Sequence, residues 1–211
     1  MIKIVWTDPV DETHARLGIV IFVILAIAAS AGRSLWFFFR HGVRPIAPPR
    51  DFRERLWHWA FIAVAAAITL ICSVRLLAPK YTYLLMPIPG GNIYLIFGLG
   101  IFLTILGFGM MLAAQSQMGG SWRIGIPKDK LELVTLGIYR YTRNPIYSGF
   151  QIGMAGFGCL FPSVATLIVY VATVLVLLEW VAREEKHQVE MHGDAFREYC
   201  KRTGRFFPRF K

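Results

Sequence analysis

The chain has 211 residues, 55% of them hydrophobic and 17% charged, with a formal net charge of +10. Its mean hydropathy is +0.50 and its apolar residues fall in long runs, which excludes an ordinary soluble domain, where apolar residues including glycine reach about 45–50%. In such a chain an excess of Lys and Arg is first a topology signal and an attraction to anionic lipid, so nucleic acid is a poor match.

Residues 1–16 are polar. The run Leu17–Phe39, interrupted only by Arg33 and Ser34, is long enough for a span of about 20 residues. Ala28-Ala29-Ser30-Ala31 offers small residues for signal cleavage, but the long acidic region before it and the aromatic belt Trp36–Phe39 after it favour an uncleaved span. A loop follows, with Arg40, Arg44, Arg50, Arg53 and Arg55 among Pro45, Pro48 and Pro49. Leu56–Leu77 is the second span, with Arg75 near its far end, placed to snorkel. The next loop, Ala78–Gly91, carries only Lys80. Ile93–Ala114 is the third span, and its Gly98, Gly100, Gly107 and Gly109 admit a close helix neighbour. Gln115–Arg143 is a polar connection.

From Ile146 to Val181 the only charge is Glu179. As a single helix this stretch would reach about 54 Å, against a hydrocarbon core of about 30 Å. Pro162, preceded by Gly153, Gly156 and Gly158, marks a bend. The stretch therefore reads as a helical hairpin, with a short arm Ile146–Leu160 and a longer arm Ser163–Val181. A polar tail with a helical segment and a basic end follows from Arg183, and no internal repeat is visible.

Five crossings put the first arginine loop, the Gln115–Tyr147 connection and the tail on one side, with the N-terminus opposite. Most of the 23 Lys and Arg residues lie in these three segments. By the positive-inside rule that side is cytoplasmic. Cys72, Cys159 and Cys200 make no C-x-x-C pair, and His187 and His192 lack i,i+4 spacing, so neither a disulfide nor a metal site is expected. The fold expected is all-α: one polytopic membrane domain over 1–211 with about five transmembrane helices. Its last two helices form a hairpin, and a cytoplasmic C-terminal helix follows.

The chemistry concentrates in two stretches. One is Leu136–Gly149, which holds Tyr139, Tyr141, Tyr147, Arg140 and Arg143 around Asn144-Pro145. Proline disfavours helix at the residue before it and suits a first helical position, so a helix is expected to start at Pro145. Arg140 and Arg143 beside that start suit an anion or carboxylate. The other stretch is Glu179-Trp180-Val181-Ala182-Arg183-Glu184-Glu185. Adjacent carboxylates at a membrane exit are tolerable when solvated or facing a cation. Arg140, Arg143 and Arg183 are candidate partners, and so is a sulfonium or ammonium ligand, which tyrosine π faces also attract. Glu179 and Arg183 fit an i,i+4 pair.

These residues carry a resemblance. Met118-Gly119-Gly120-Ser121-Trp122, the Leu136–Gly149 stretch, Arg183-Glu184-Glu185, Gly193-Asp194-Ala195-Phe196-Arg197-Glu198-Tyr199, then Arg205 and Pro208, in that order, resemble the isoprenylcysteine carboxyl methyltransferase and phospholipid methyltransferase superfamily. The likeness runs from about Gln115 to Pro208. It implies an intramembrane methyltransferase that uses S-adenosylmethionine, releases S-adenosylhomocysteine and takes a lipidic or small acceptor from the bilayer. Residues 1–114 would then supply three N-terminal spans, and 115–211 the cofactor-binding half. The family's Arg-His-Pro-x-Tyr signature falls on Arg143, Asn144, Pro145 and Tyr147, and its paired acids on Glu184 and Glu185. The resemblance thus implies cofactor contacts from Tyr139, Arg143, Asn144, Pro145, Tyr147, Glu184, Glu185 and Tyr199. It implies catalytic roles for Arg143, Asn144, Tyr147 and Arg205, with Arg143 or Arg205 holding a carboxylate. Asn144 stands where the prenylcysteine enzymes have histidine, so it keeps hydrogen bonding and loses titration. Gly193-Asp194 replaces the usual Phe-Gly. Sterol reductases, which bind a nicotinamide cofactor, end in a similar region on much longer chains, and a non-catalytic membrane module is the third reading.

Overall fold

The computed structural model describes residues 12–49, 51–88, 92–126 and 131–209. Among them seven α-helices follow in order: α1 (Glu12–Ile27), α2 (Arg33–His41), α3 (Phe52–Leu77), α4 (Ile93–Met118), α5 (Pro145–Leu160), α6 (Val164–His192) and α7 (Asp194–Arg202). Starts follow local chemistry. The Asp51 carboxylate accepts from Glu54 N at 2.7 Å to open α3, the Asn92 side chain accepts from Tyr94 and Leu95 N to open α4, and Ser163 with Thr166 forms a capping box at α6. Proline starts α5, as expected, while Asn144 before it is non-helical at φ −126°, ψ 54°.

Four helical stretches, Thr13–His41, Phe52–Leu77, Ile93–Ser121 and Val164–His192, are long and apolar enough to cross a membrane. The protein is an all-α integral membrane protein. The fifth expected crossing, α5, has 16 residues, about 24 Å at 1.5 Å per residue, short of a full span. Its far end is met by the loop before α4, where Ile88 N donates to Pro162 O and Val164 N to Met86 O, so a loop completes what the short helix leaves. The long arm continues as helix to His192 instead of ending near Val181, and this extension carries Glu184 and Glu185.

α1 and α2 form one helix with a π turn at Ala28–Gly32. It runs parallel to α4: His14 meets Phe97, Phe22 meets Phe108 and Phe37 meets Trp122. A π turn offsets the carbonyl ladder, and here Ala29 O accepts from Gln115 Nε2 at 3.0 Å. Arg33 stays inside, donating to Gln115 O at 2.8 Å with its guanidinium 4.2 Å from the Trp36 ring centre. Arg75 does not snorkel outward as the sequence suggested. It is 7% exposed, with its guanidinium 5.1 Å from the Phe161 ring centre, because the hairpin turn offers a π face nearby. The first arginine loop, the connection and the tail lie at one end of the bundle, tied by bridges Ile46–Ile124 and Thr142–Gly204.

The tightest packing is α4 against α5. A Cβ on Gly107 would lie 2.2 Å from Gly153 N and 2.5 Å from Gly149 O, and one on Gly100 would lie 2.9 Å from Leu160 N. Gly98 and Gly109 have nothing within 4 Å. Of the four small residues expected to admit a neighbour, only Gly100 and Gly107 do so, since only that face meets α5. Gly107→Ala should therefore cost about 1–3 kcal/mol of overpacking, lowering the thermal midpoint in detergent. Gly98→Ala should leave it unchanged or slightly raised, so equal losses would refute this contact.

Candidate functional site

The connector 136–144 and the tail 199–206 fold onto each other by side chain and backbone together. Arg143 N donates to Gly204 O at 2.9 Å. Thr142 Oγ1 and Asn144 Nδ2 both donate to Arg205 O, at 3.0 and 3.1 Å. Ser148 Oγ donates to Phe206 O at 2.7 Å, and Arg143 Nη1 to Cys200 O and Thr203 O. Consecutive tail carbonyls thus find donors on the connector and on the first turn of α5.

The Glu185 carboxylate sits at the centre of this seam. Its Oε1 accepts from Arg143 Nε and Asn144 Nδ2, both at 3.0 Å. Its Oε2 accepts from Arg205 Nε at 3.0 Å and lies 2.8 Å from Arg205 Nη2. The carboxylate that Arg143 and Arg205 hold is therefore Glu185's own. Glu184, one residue earlier, points elsewhere: its Oε1 accepts from Tyr147 Oη at 2.7 Å and from Trp180 Nε1 at 2.8 Å. Its Oε2 makes no hydrogen bond among the described residues. The Trp180 indole also donates to Tyr147 Oη at 2.9 Å, and its ring is packed edge-on by His58 and Phe61 of α3.

Beside these groups lies a pocket of about 1010 Å³, counting its open mouth. Tyr139, Arg143, Asn144, Tyr147, Glu184, Glu185 and Tyr199 all line it. Tyr199 Oη donates to Tyr139 O at 2.6 Å and Tyr139 Oη to Ala114 O at 3.3 Å, so the two rings brace one wall. Burial holds both phenols well above their usual range, and both stay neutral donors. Pro145 and Arg205 stand outside the lining: one starts α5 and the other clamps Glu185. Arg140 is exposed and does not reach the pocket. Arg183 pairs with Glu179 at 3.3 Å, as the i,i+4 spacing suggested.

Trp180, Arg123, Glu132 and Met191 were given no role from sequence, and His187 was weighed only as a metal ligand. Trp180 was findable: it stands one helical turn before Glu184, so the two share a face. Arg123 and Glu132 carry no such signal, because loop geometry brings them to the pocket.

Residues 94–195 match the phospholipid methyltransferase family model. Over that stretch, just under half of the chain, the sequence is similar to the superfamily of membrane methyltransferases. The match covers the connector, α5 and α6, and stops before Tyr199 and Arg205. The nickel-cobalt-cadmium resistance protein NccN of Alcaligenes xylosoxydans xylosoxydans is 30% identical over 108 residues, 50% of this chain and 51% of that protein. The cobalt-zinc-cadmium resistance protein CzcN of Cupriavidus metallidurans is 30% identical over 109 residues, 52% of this chain and 50% of that protein. The chain thus spans about half the length of the curated relatives it matches.

Removing Glu185 should unseat the tail. The Arg143 and Glu185 side chains are each 12% exposed, and breaking a buried pair costs about 3–5 kcal/mol. Arg205 is 45% exposed, so its removal should cost about 1 kcal/mol or less. In detergent, Glu185→Ala should speed tryptic cleavage near Lys201 and Arg202 far more than Arg205→Ala does. Cleavage at the wild-type rate would show that the clamp does not hold the tail.

Proposed function

We propose that this chain is an integral membrane methyltransferase that uses S-adenosylmethionine and releases S-adenosylhomocysteine. Its acceptor would be lipidic or small, with a carboxylate like that of an isoprenylated cysteine or a phospholipid amine as the nucleophile. The observation that carries the reading is the pair Glu184 and Tyr147 on the pocket wall, both hydrogen-bonded by Trp180, within the stretch that matches the family. A sulfonium needs an anion or a π face near it. Glu184 Oε2 and the rings of Tyr139 and Tyr147 offer both, so the residues present fit the group. S-adenosylmethionine bound there would supply an electrophilic methyl group.

The protein's own contribution is placement. Glu184 would hold a cationic or hydroxyl group of the cofactor, and Tyr147 and Tyr139 would flank the transferring methyl. Trp180 fixes the rotamers of both Glu184 and Tyr147 through one N–H, so the wall is set before ligand arrives. Glu185, Arg143, Asn144 and Arg205 would act as positioning groups, keeping the tail and Tyr199 seated so that water is excluded. An acceptor arriving as a carboxylate, a thiolate or an unprotonated amine needs no proton removed. This fits an amide at Asn144, which donates to Glu185 and to Arg205 O where a histidine would titrate. The basic segments gathered at one end of the bundle support a cytoplasmic pocket by the positive-inside rule, with the N-terminus opposite.

Calorimetry on the purified chain in detergent tests the reading. S-adenosylhomocysteine should bind and NADPH should not, and the reverse result would favour the reductase reading. Glu184→Gln should weaken S-adenosylmethionine about tenfold, roughly 1.4 kcal/mol, and the neutral thioether product by less. Equal losses for the two ligands would remove Glu184 from the sulfonium.

A further inference from the structure

The pocket poses a problem of charge. The cofactor proposed above ends in an α-amino acid, and its carboxylate needs a cation. Arg143 has no fork left: Nε goes to Glu185 and Nη1 to Cys200 O and Thr203 O, so Nη2 alone is spare among the described residues. Arg205 does not line the pocket and is held by Glu185. Among the described arginines and lysines, the other one that lines the pocket is Arg123.

Arg123 is held in place with donors to spare. Its Nη1 donates to Gly120 O at 2.9 Å and to Trp122 O at 2.7 Å. Its guanidinium lies 4.8 Å from the ring centre of Phe37. Phe37 and Trp122 are fully buried, and the backbone at the next residue is pinned by Ile124 N to Pro45 O and Ala47 N to Ile124 O. Nε and Nη2 make no hydrogen bond among the described residues. These two atoms form the planar fork that matches a carboxylate bidentately. Because the arm is already ordered, little freedom is lost on pairing. Glu132 lines the same pocket without an ion pair to Arg123, so the lining offers one group of each sign to a zwitterion.

We propose that Arg123 binds the carboxylate of the cofactor's methionyl arm, with Glu132 receiving its ammonium group. This rests on the methyltransferase reading. It moves anion recognition from the arginines of the connector and tail to the loop after α4.

The experiment compares two nucleoside thioethers by calorimetry on the full chain in detergent. S-adenosylhomocysteine carries the amino-acid arm, and 5′-methylthioadenosine lacks it. Wild type should prefer the first. A charge-assisted bidentate contact is worth about 1.5–3 kcal/mol, so Arg123→Gln should weaken S-adenosylhomocysteine about 10- to 100-fold and leave methylthioadenosine unchanged. Arg123→Lys keeps the charge and the apolar stem while losing the fork, and it should show a smaller loss on the same ligand alone. It serves if the glutamine variant does not fold. Equal weakening of both ligands, or unchanged S-adenosylhomocysteine affinity in both variants, overturns the assignment. Wild type that binds neither ligand overturns the methyltransferase reading itself.

Discussion

One carboxylate organises the functional end of this protein. Glu185 receives hydrogen bonds from Arg143 and Asn144 on the connector and from Arg205 on the tail, three donors from two segments far apart in sequence. A largely buried charge is tolerable only when its lone pairs are met, and removing one partner leaves the others stranded. The pairing therefore works as a latch. With it closed, the carbonyls of Cys200 and of 203–206 meet donors on the connector and α5, and Tyr199 reaches Tyr139. The pocket wall is a by-product of satisfying one buried anion.

The latch needs a fixed platform, which the bundle supplies. Glycines let α5 approach α4 almost backbone to backbone, so the first turn of α5, with Tyr147 and Ser148, is set against the end of α4. The long α6 carries Trp180, Glu184 and Glu185 past the apolar stretch to the same level. α3 lies outside the family match, yet it meets the site through His58 and Phe61 on the Trp180 ring. Thus α3 touches the site through one indole.

Much of this was legible in the sequence because it rests on strong local signals. Long apolar runs gave the spans, Asn144-Pro145 gave the start of α5, and Pro162 gave the bend. The gathering of arginine-bearing loops at one end followed from counting crossings, and the structure places them together. What the sequence hid was partner choice. Nothing local says that Arg143 and Arg205 turn toward Glu185, or that Glu184 turns away from both toward Tyr147. Arg75 read as a snorkelling side chain because its π-face partner, Phe161, lies far along the chain. The extension of α6 to His192 was obscured because hydropathy falls at Arg183 while helix propensity does not. Arg123 could not be seen at all, since its backbone is placed by contacts of Ile124 with 45–47 and not by its own pattern, and nothing local marks Glu132.

The parallel bridge between Thr142 and Gly204 has a bearing on biogenesis. Residues 203–206 leave the ribosome after all of the long hydrophobic helices. The seam that seats Tyr199 against Tyr139 can therefore close only once the tail is made and has come back to the connector.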